Sequence, residues 1–250
     1  MGRFVVLFAA LAFSGSAFAA DIPFPTKAPP FQPAPTWTGC YVGGNVGYGW
    51  GRNQAITDDP AVVTPPVYAG SDTGTGIVGG GQFGCDYQMS NWVFGAQGMF
   101  DGANVEGSHH PTAAGFTANE TLGFKTEWLA TLTARIGYVI QPQVLVYLKG
   151  GAAWAHNTYS DDDAILVPPY FGSASATRNG GTIGGGLEYA FHRNWSLFAE
   201  YDYMDFGSRS TTISYATSNA GIVNPFTYDM KQNLQIVLFG INYRFGGTTF

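Results

Sequence analysis

Residues 122–140 read LGFKTEWLATLTARIGYVI. The even positions, Leu122, Phe124, Thr126, Trp128, Ala130, Leu132, Ala134, Ile136, Tyr138 and Ile140, hold no charge. The odd positions include Lys125, Glu127 and Arg135 beside Thr131 and Thr133. Alternation at period two marks a strand with two unlike faces. It runs far past the usual ~5–6 residues of a strand in a globular protein, so the length itself asks for an explanation.

The same alternation recurs on both sides of this run. One face carries Val42, Val46, Tyr48 and Trp50; then Ile77, Phe83, Cys85 and Tyr87; then Trp92, Phe94, Ala96 and Phe100. Downstream it carries Val144, Val146, Leu148, Ala152 and Trp154, then Ile183, Leu187, Tyr189 and Phe191. Trp195, Leu197, Ala199, Tyr201 and Tyr203 make a seventh strand. The last sets Val237, Phe239, Ile241, Tyr243 and Phe245 against Asn242 and Arg244, with Ile236 and Leu238 blurring its polar face. Three connections are tight (Gln88–Asn91, Gln141–Gln143, His192–Asn194), and four are long and polar, at 53–74, 103–120, 157–177 and 207–230. Alternating short turns and long loops, an apolar face and an ionic face together predict an all-β fold. It is an eight-stranded antiparallel transmembrane β-barrel with short periplasmic turns and four long extracellular loops. Closure pairs every backbone group, as the bilayer demands, and aromatics at strand ends (Trp50, Trp92, Tyr138, Trp154, Phe191, Trp195) predict interfacial girdles.

Composition agrees. Of 250 residues only 11% are charged against 16% aromatic, and 35 are glycine; soluble domains carry roughly 25% charge and ~7% glycine. A net charge of -6 with so few cations excludes nucleic acid as a partner, because phosphate binding needs clustered Lys and Arg. The N-terminus supplies the compartment. A basic start with Arg3, an apolar run from Phe4 to Phe13 and Ala17-Phe18-Ala19 define a cleaved signal peptide over 1–19. The segment 20–36 holds six prolines and is predicted to be an extended periplasmic tether, with the barrel over 37–250. Gly74-Thr75-Gly76-Ile77-Val78-Gly79 spells a dinucleotide fingerprint, yet that motif needs a strand before it and a helix opening at its glycines. Period two persists through Tyr87, so these glycines belong to barrel wall.

The predicted inward ions are Asp86, Asp101, Lys125, Glu127, Arg135, Lys149, Glu188, Glu200, Asp202 and Arg244. An eight-stranded barrel is just wide enough for side chains to fill it, and buried charges need partners. The expected result is an internal salt-bridge network; an ion or solute path through it is the alternative. His109-His110 and Asp161-Asp162-Asp163 fall in predicted loops. They are read as solvated residues, with no metal or cofactor assigned; the aspartates could bridge through divalent ions to lipopolysaccharide phosphates. No motif gathers the four histidines and the serines into a catalytic cluster, so no enzyme is expected.

Several segments resemble the small outer-membrane β-barrel family of alphaproteobacteria, the porin-like surface antigens and haemin-binding proteins. They are WTGCYVGGNVGYGWG (37–51), GGGQFGCDYQ (79–88), NWVFGAQGMFD (91–101), WLATLTARIGY (128–138), GGTIGGGLEYAF (180–191), NWSLFAEYDYMDFG (194–207) and INYRF (241–245). The resemblance implies a periplasmic N-terminus and a C-terminal aromatic read by the assembly machinery. Tyr243 and Phe245 fit that signal, as does the terminal Phe250. Cys40 and Cys85, the only two cysteines, stand where the family usually shows aromatics. Both lie near the periplasmic rim in an oxidising compartment, and a Cys40–Cys85 disulfide is expected. The function expected is an integral outer-membrane protein with a structural or porin-like envelope role. The alternative is a surface protein binding haem, a host or a matrix ligand through its loops. Outer-membrane lipid and lipopolysaccharide, the barrel-assembly machinery and periplasmic chaperones are the expected partners.

Overall fold

The computed structural model describes residues 36–57, 67–110, 121–163, 170–217 and 221–245. The expected signal peptide over 1–19, the tether up to residue 35 and Phe250 lie outside the described residues. Eight strands, β1 (Gly39–Thr57), β2 (Val67–Met89), β3 (Trp92–His109), β4 (Thr121–Gln141), β5 (Val144–Asp163), β6 (Tyr170–Ala190), β7 (Trp195–Thr217) and β8 (Gly221–Phe245), close in sequence order. Each pairs antiparallel with its neighbours, and β8 pairs back onto β1 from Cys40↔Phe245 to Thr57↔Tyr228.

The outer wall shows why the chain closes this way. From Val42 to Trp50, Ile77 to Tyr87, Trp92 to Phe100, Trp128 to Ile140, Val144 to Trp154, Ile183 to Phe191, Trp195 to Tyr203 and Val237 to Phe245, no outward position is charged. Each stretch is about ten residues long, the span a tilted strand needs to cross ~30 Å of hydrocarbon. Aromatics frame the band. Near the periplasm Trp92 packs edge-on against Tyr138 and Trp195 against Tyr243. At the opposite margin Phe100, Trp128 and His156 stack with centroids 5.7 and 5.6 Å apart.

The strands do not stop at the bilayer. They run 18 to 25 residues, about twice the crossing length. Much of the sequence predicted as long loops is therefore strand that rises beyond the membrane. Outward positions there turn polar, with Arg52, Thr73, Glu106, Thr158 and Thr177, and hydroxyls bond across strands, as Thr212 does with Thr227 at 3.1 Å. Water can solvate such a wall, so period two continues with its outer face exchanged from apolar to polar. His109 and Asp161, expected in loops, lie within β3 and β5, and Asp161 is buried.

Two irregularities above the band reverse the alternation. In β4 the register slips between Thr126 and Trp128, leaving Glu127 as an extra residue against β5. A bulge of this kind re-aims side chains. Below it Leu129, Thr131, Thr133 and Arg135 face inward; above it Leu122, Phe124 and Thr126 do so, while Lys125 and Glu127 are exposed. Lys125 and Glu127 are thus not lumen ions. They stand outside the wall above the membrane, Glu127 accepting from Thr158 Oγ1 at 3.1 Å. In β7 the slip between Asp205 and Ser208 contains Gly207 at φ 64°, a left-handed conformation that favours glycine. Its N–H donates to Asp205 Oδ1 at 2.8 Å.

The periplasmic end is tied shut. Cys40 and Cys85 are bonded partners across β1 and β2 on the outer face. Trp37 N–H donates to Gln88 Oε1 at 2.8 Å, and its buried ring packs with Val93, Val139, Leu145 and Tyr147 under the barrel floor. The disulfide closes a 45-residue separation, which limits the unfolded chain by about 2–4 kcal/mol. A Cys40→Ala/Cys85→Ala barrel should insert and fold but unfold in urea with stability lower by about that amount. Thiol labelling of unfolded, unreduced wild type should find none before reduction and two after.

Candidate functional site in the barrel lumen

Inward positions meet in tiers contributed by alternate strands, a consequence of the strand stagger in a closed barrel. The tier nearest the periplasm joins the even-numbered strands. Arg135 of β4 donates from Nε to Asp86 Oδ1 of β2 at 2.7 Å and from Nη1 to Glu188 Oε2 of β6 at 3.2 Å, and its Nη2 meets Asp86 Oδ2. Arg244 of β8 reaches the same two acids, Asp86 at 2.9 Å and Glu188 at 3.6 Å. Ser196 Oγ and Asn242 Nδ2 donate to Glu188 Oε1 at 2.6 and 3.1 Å. The cations also lie over rings: Arg135 is 4.8 Å from the Tyr41 centroid and 4.9 Å from Tyr147, and Arg244 is 4.9 Å from Tyr41 and 5.4 Å from Trp37.

The next tier links odd-numbered strands. Lys149 of β5 meets Glu200 and Asp202 of β7 at 2.5 and 2.9 Å, and Tyr147 Oη donates to Glu200 Oε2 at 2.7 Å. Asp101 of β3 accepts from Asn45 Nδ2 of β1 at 3.0 Å. Asn45 and Gln82 bridge the tiers, Gln82 donating to Asn242 Oδ1 at 2.7 Å.

These side chains fit because glycines stand opposite them. Asp86 pairs with Gly95, Asp101 with Gly80, Asp202 with Gly184, Tyr41 with Gly84 and Tyr147 with Gly186. A Cβ at Gly184 would come within 1.9 Å of Asp202 Oδ1, and one at Gly95 within 2.0 Å of Asp86 Oδ1.

Above the ions the lumen turns apolar. Met204, Leu234 and Val78 pack there in one buried cluster, which continues down among the upper ions through Ile236, Leu129, Leu238, Met99 and Phe198. Farther out, Thr126 donates to Asn157 at 2.7 Å and Asn157 to Gln232 at 2.9 Å. Arg178 donates to Met230 O and Thr211 Oγ1 at 2.7 and 3.0 Å. The extracellular mouth holds a cavity of about 20 Å³ beside Asn53, Asp72, His109, Phe124 and Tyr159, room for about one water. The Asp72 and His109 side chains meet there; burial pushes the Asp72 carboxyl up, and its contact with His109 opposes that.

Of the ten expected lumen ions, Asp86, Asp101, Arg135, Lys149, Glu188, Glu200, Asp202 and Arg244 are buried inside the barrel; Lys125 and Glu127 lie outside it. The lumen also holds Arg178 and Asn45, and the polar faces of β2, β7 and β8 contribute the neutral donors Gln82, Ser196 and Asn242. Glycine-rich strands with lone amides at inward parity were their signal. Tyr243 and Phe245 face outward at the end of β8, their rings 5.0 Å apart.

Residues 5–245 match the family described as "Outer membrane protein beta-barrel domain", and the chain belongs to that family. It is 34% identical over 242 residues to a 31 kDa outer-membrane immunogenic protein of Brucella melitensis, covering 93% of this chain and 95% of that protein. It is 28% identical to a 25 kDa outer-membrane immunogenic protein of Brucella abortus over 96% of each chain. Among solved structures it is similar to OprG of Pseudomonas aeruginosa (TM-score 0.51, 15% identity, 83% of this chain and 96% of that one). It is also similar to the outer membrane protease OmpT of Escherichia coli (TM-score 0.53, 10% identity, 84% and 98%). At such identities the structures share the fold alone. The protein is an integral β-barrel of a Gram-negative outer membrane, its lumen filled by salt bridges.

Removing one partner of a buried ion cluster leaves the others uncompensated. Arg135→Met should therefore destabilise the barrel by about 3–5 kcal/mol in urea unfolding, whereas Lys125→Met, outside the wall, should change it by less than about 0.5 kcal/mol. Gly184→Ala, which displaces Asp202, should cost about 1–3 kcal/mol by the same measurement.

Proposed function

We propose that this barrel is a closed structural element of the outer membrane, one that offers no continuous aqueous path. The observation that carries the reading is the filled lumen. Two tiers of paired ions lie beneath an apolar cluster of large side chains, and small residues are reserved for the places where those chains need room. The role is non-catalytic. Likeness to a protease extends to the fold.

The Brucella relatives are named immunogenic, and the raised polar wall of this chain gives antibodies a surface beyond the bilayer. Binding of a host, matrix or haem ligand by the predicted loops (53–74, 103–120, 157–177 and 207–230) would rest in part on residues that lie outside the described residues. Tyr243 and Phe245 are the aromatics that support recognition by the assembly machinery.

Reconstituted in planar bilayers, the wild-type barrel should give no steady unitary conductance, and liposomes carrying it should not swell in small sugars. Phe198→Ala combined with Leu238→Ala, which empties part of the apolar cluster, should raise conductance above wild type. A stable open channel from the wild-type protein would refute the closed-barrel reading.

A further inference from the structure

Two features share one side of the barrel's outer wall. The first is an open groove of about 570 Å³ in the outer wall across β7, β8, β1 and β2. Gly44 and Gly80 form its floor, and Val46, Leu197, Phe239 and Ile241 its sides. Packing does not require glycine at Gly44: a Cβ there would approach nothing nearer than Gly80 O at 3.7 Å. The groove lies within the apolar band.

The second feature is a pair of outward cations on the same strands just beyond that band. Arg52 of β1 sits opposite Asn233 of β8, and Lys231 lies two residues farther along β8. That makes the two cations diagonal neighbours, about 7–8 Å apart at the backbone. Arg52 donates to Ser71 Oγ at 3.3 Å, and among the described residues neither cation is ion-paired. Two outward acids stand nearby, Asp229 accepting from Ser210 Oγ at 2.5 Å and Asp205 from the Gly207 amide. Between cations and groove stand Trp50 and Tyr201, ring centroids 6.3 Å apart, with Tyr201 Oη donating to Gln235 at 2.7 Å.

We propose that this face binds a phosphorylated, multiply acylated glycolipid of the outer leaflet, the lipid anchor of lipopolysaccharide. Its phosphate lies between Arg52 and Lys231, its sugar against Trp50 and Tyr201, and one acyl chain reaches the upper end of the groove against Val46 and Phe239. The dimensions agree. Val46 is six residues below Arg52, about 20 Å along the strand and about 15 Å of depth at a tilt of ~40°. That is half of a ~30 Å hydrocarbon core, the depth one leaflet's acyl chains reach. A second copy of the chain fits less well, because a two-fold interface there would bring Arg52 and Lys231 against their own images.

The test uses the purified full barrel in an uncharged detergent, with binding followed by native mass spectrometry. Bisphosphorylated lipid A, its dephosphorylated form and phosphatidylglycerol are titrated in turn. Wild type should hold bisphosphorylated lipid A at least tenfold more tightly than either other lipid. Arg52→Glu/Lys231→Glu should abolish that preference. Gly44→Leu, which fills the groove from the lipid side, should weaken both forms of lipid A severalfold. Heat-dependent gel mobility confirms that each variant is folded. Equal affinity for the phosphorylated and dephosphorylated forms, or unchanged binding by the charge-reversed barrel, overturns the proposal. Equal affinity for phosphatidylglycerol overturns the glycolipid assignment, and a barrel dimer that Gly44→Leu dissolves assigns the groove to a second copy.

Discussion

A guanidinium held away from water is the constraint on which the barrel depends. Arg135 can lie in the lumen only if carboxylates meet it there, and Asp86 and Glu188 do so from strands on either side of β4. Those acids then need further donors, which Arg244, Ser196 and Asn242 supply. The partners come from β2, β6, β7 and β8, so the network is complete only when the wall has closed. Hydrocarbon outside offers the ions no alternative, and the apolar cluster above them separates them from the extracellular mouth. Stacking on Tyr41 and Tyr147 adds a planar restraint suited to arginine rather than lysine.

The glycines are the complement of this filling. A small barrel has little interior volume, and a large inward side chain leaves no space for another directly across the ladder. Register pairs the acids and tyrosines of the lumen with Gly95, Gly80, Gly184, Gly84 and Gly186. The run that spells a dinucleotide fingerprint is part of that arrangement. Gly80, one residue past it, lies beneath the Asp101 carboxylate, where a Cβ would come within 2.6 Å of Oδ1. Glycine here makes room for a carboxylate and cradles no phosphate.

Much of this was legible in the residues, because period two and the hydrocarbon band act on the same positions. Within the band, parity placed Asp86, Arg135, Lys149, Glu188, Glu200 and Arg244 inside and Val42, Leu132 and Phe239 outside. Parity failed where a bulge intervened: Lys125 and Glu127 carry the same phase as Arg135 on paper, and one extra residue at Glu127 reverses it. It was also silent above the bilayer, where solvent touches the outer wall and polar faces no longer tell inside from outside; strands there looked like loops, and Arg178 was hidden. Ile236 and Leu238, which seemed to blur the polar face of β8, are buried in the apolar cluster. A lumen need not be polar at every level, and nothing in one strand says where an ionic tier gives way to a greasy one.

Order in this barrel therefore lies in the lumen, and contact with lipid and solvent falls to the outer wall. The central claim is that Arg135 is locked, dry and paired, and nitrogen-detected NMR of the Arg135 guanidinium in the micelle-bound barrel tests it most directly. One resolved Nε–H resonance is expected, exchanging slowly with water and losing its position when Asp86 is replaced by Asn. A guanidinium in rapid exchange with water, rotating freely and indifferent to Asp86, would contradict it.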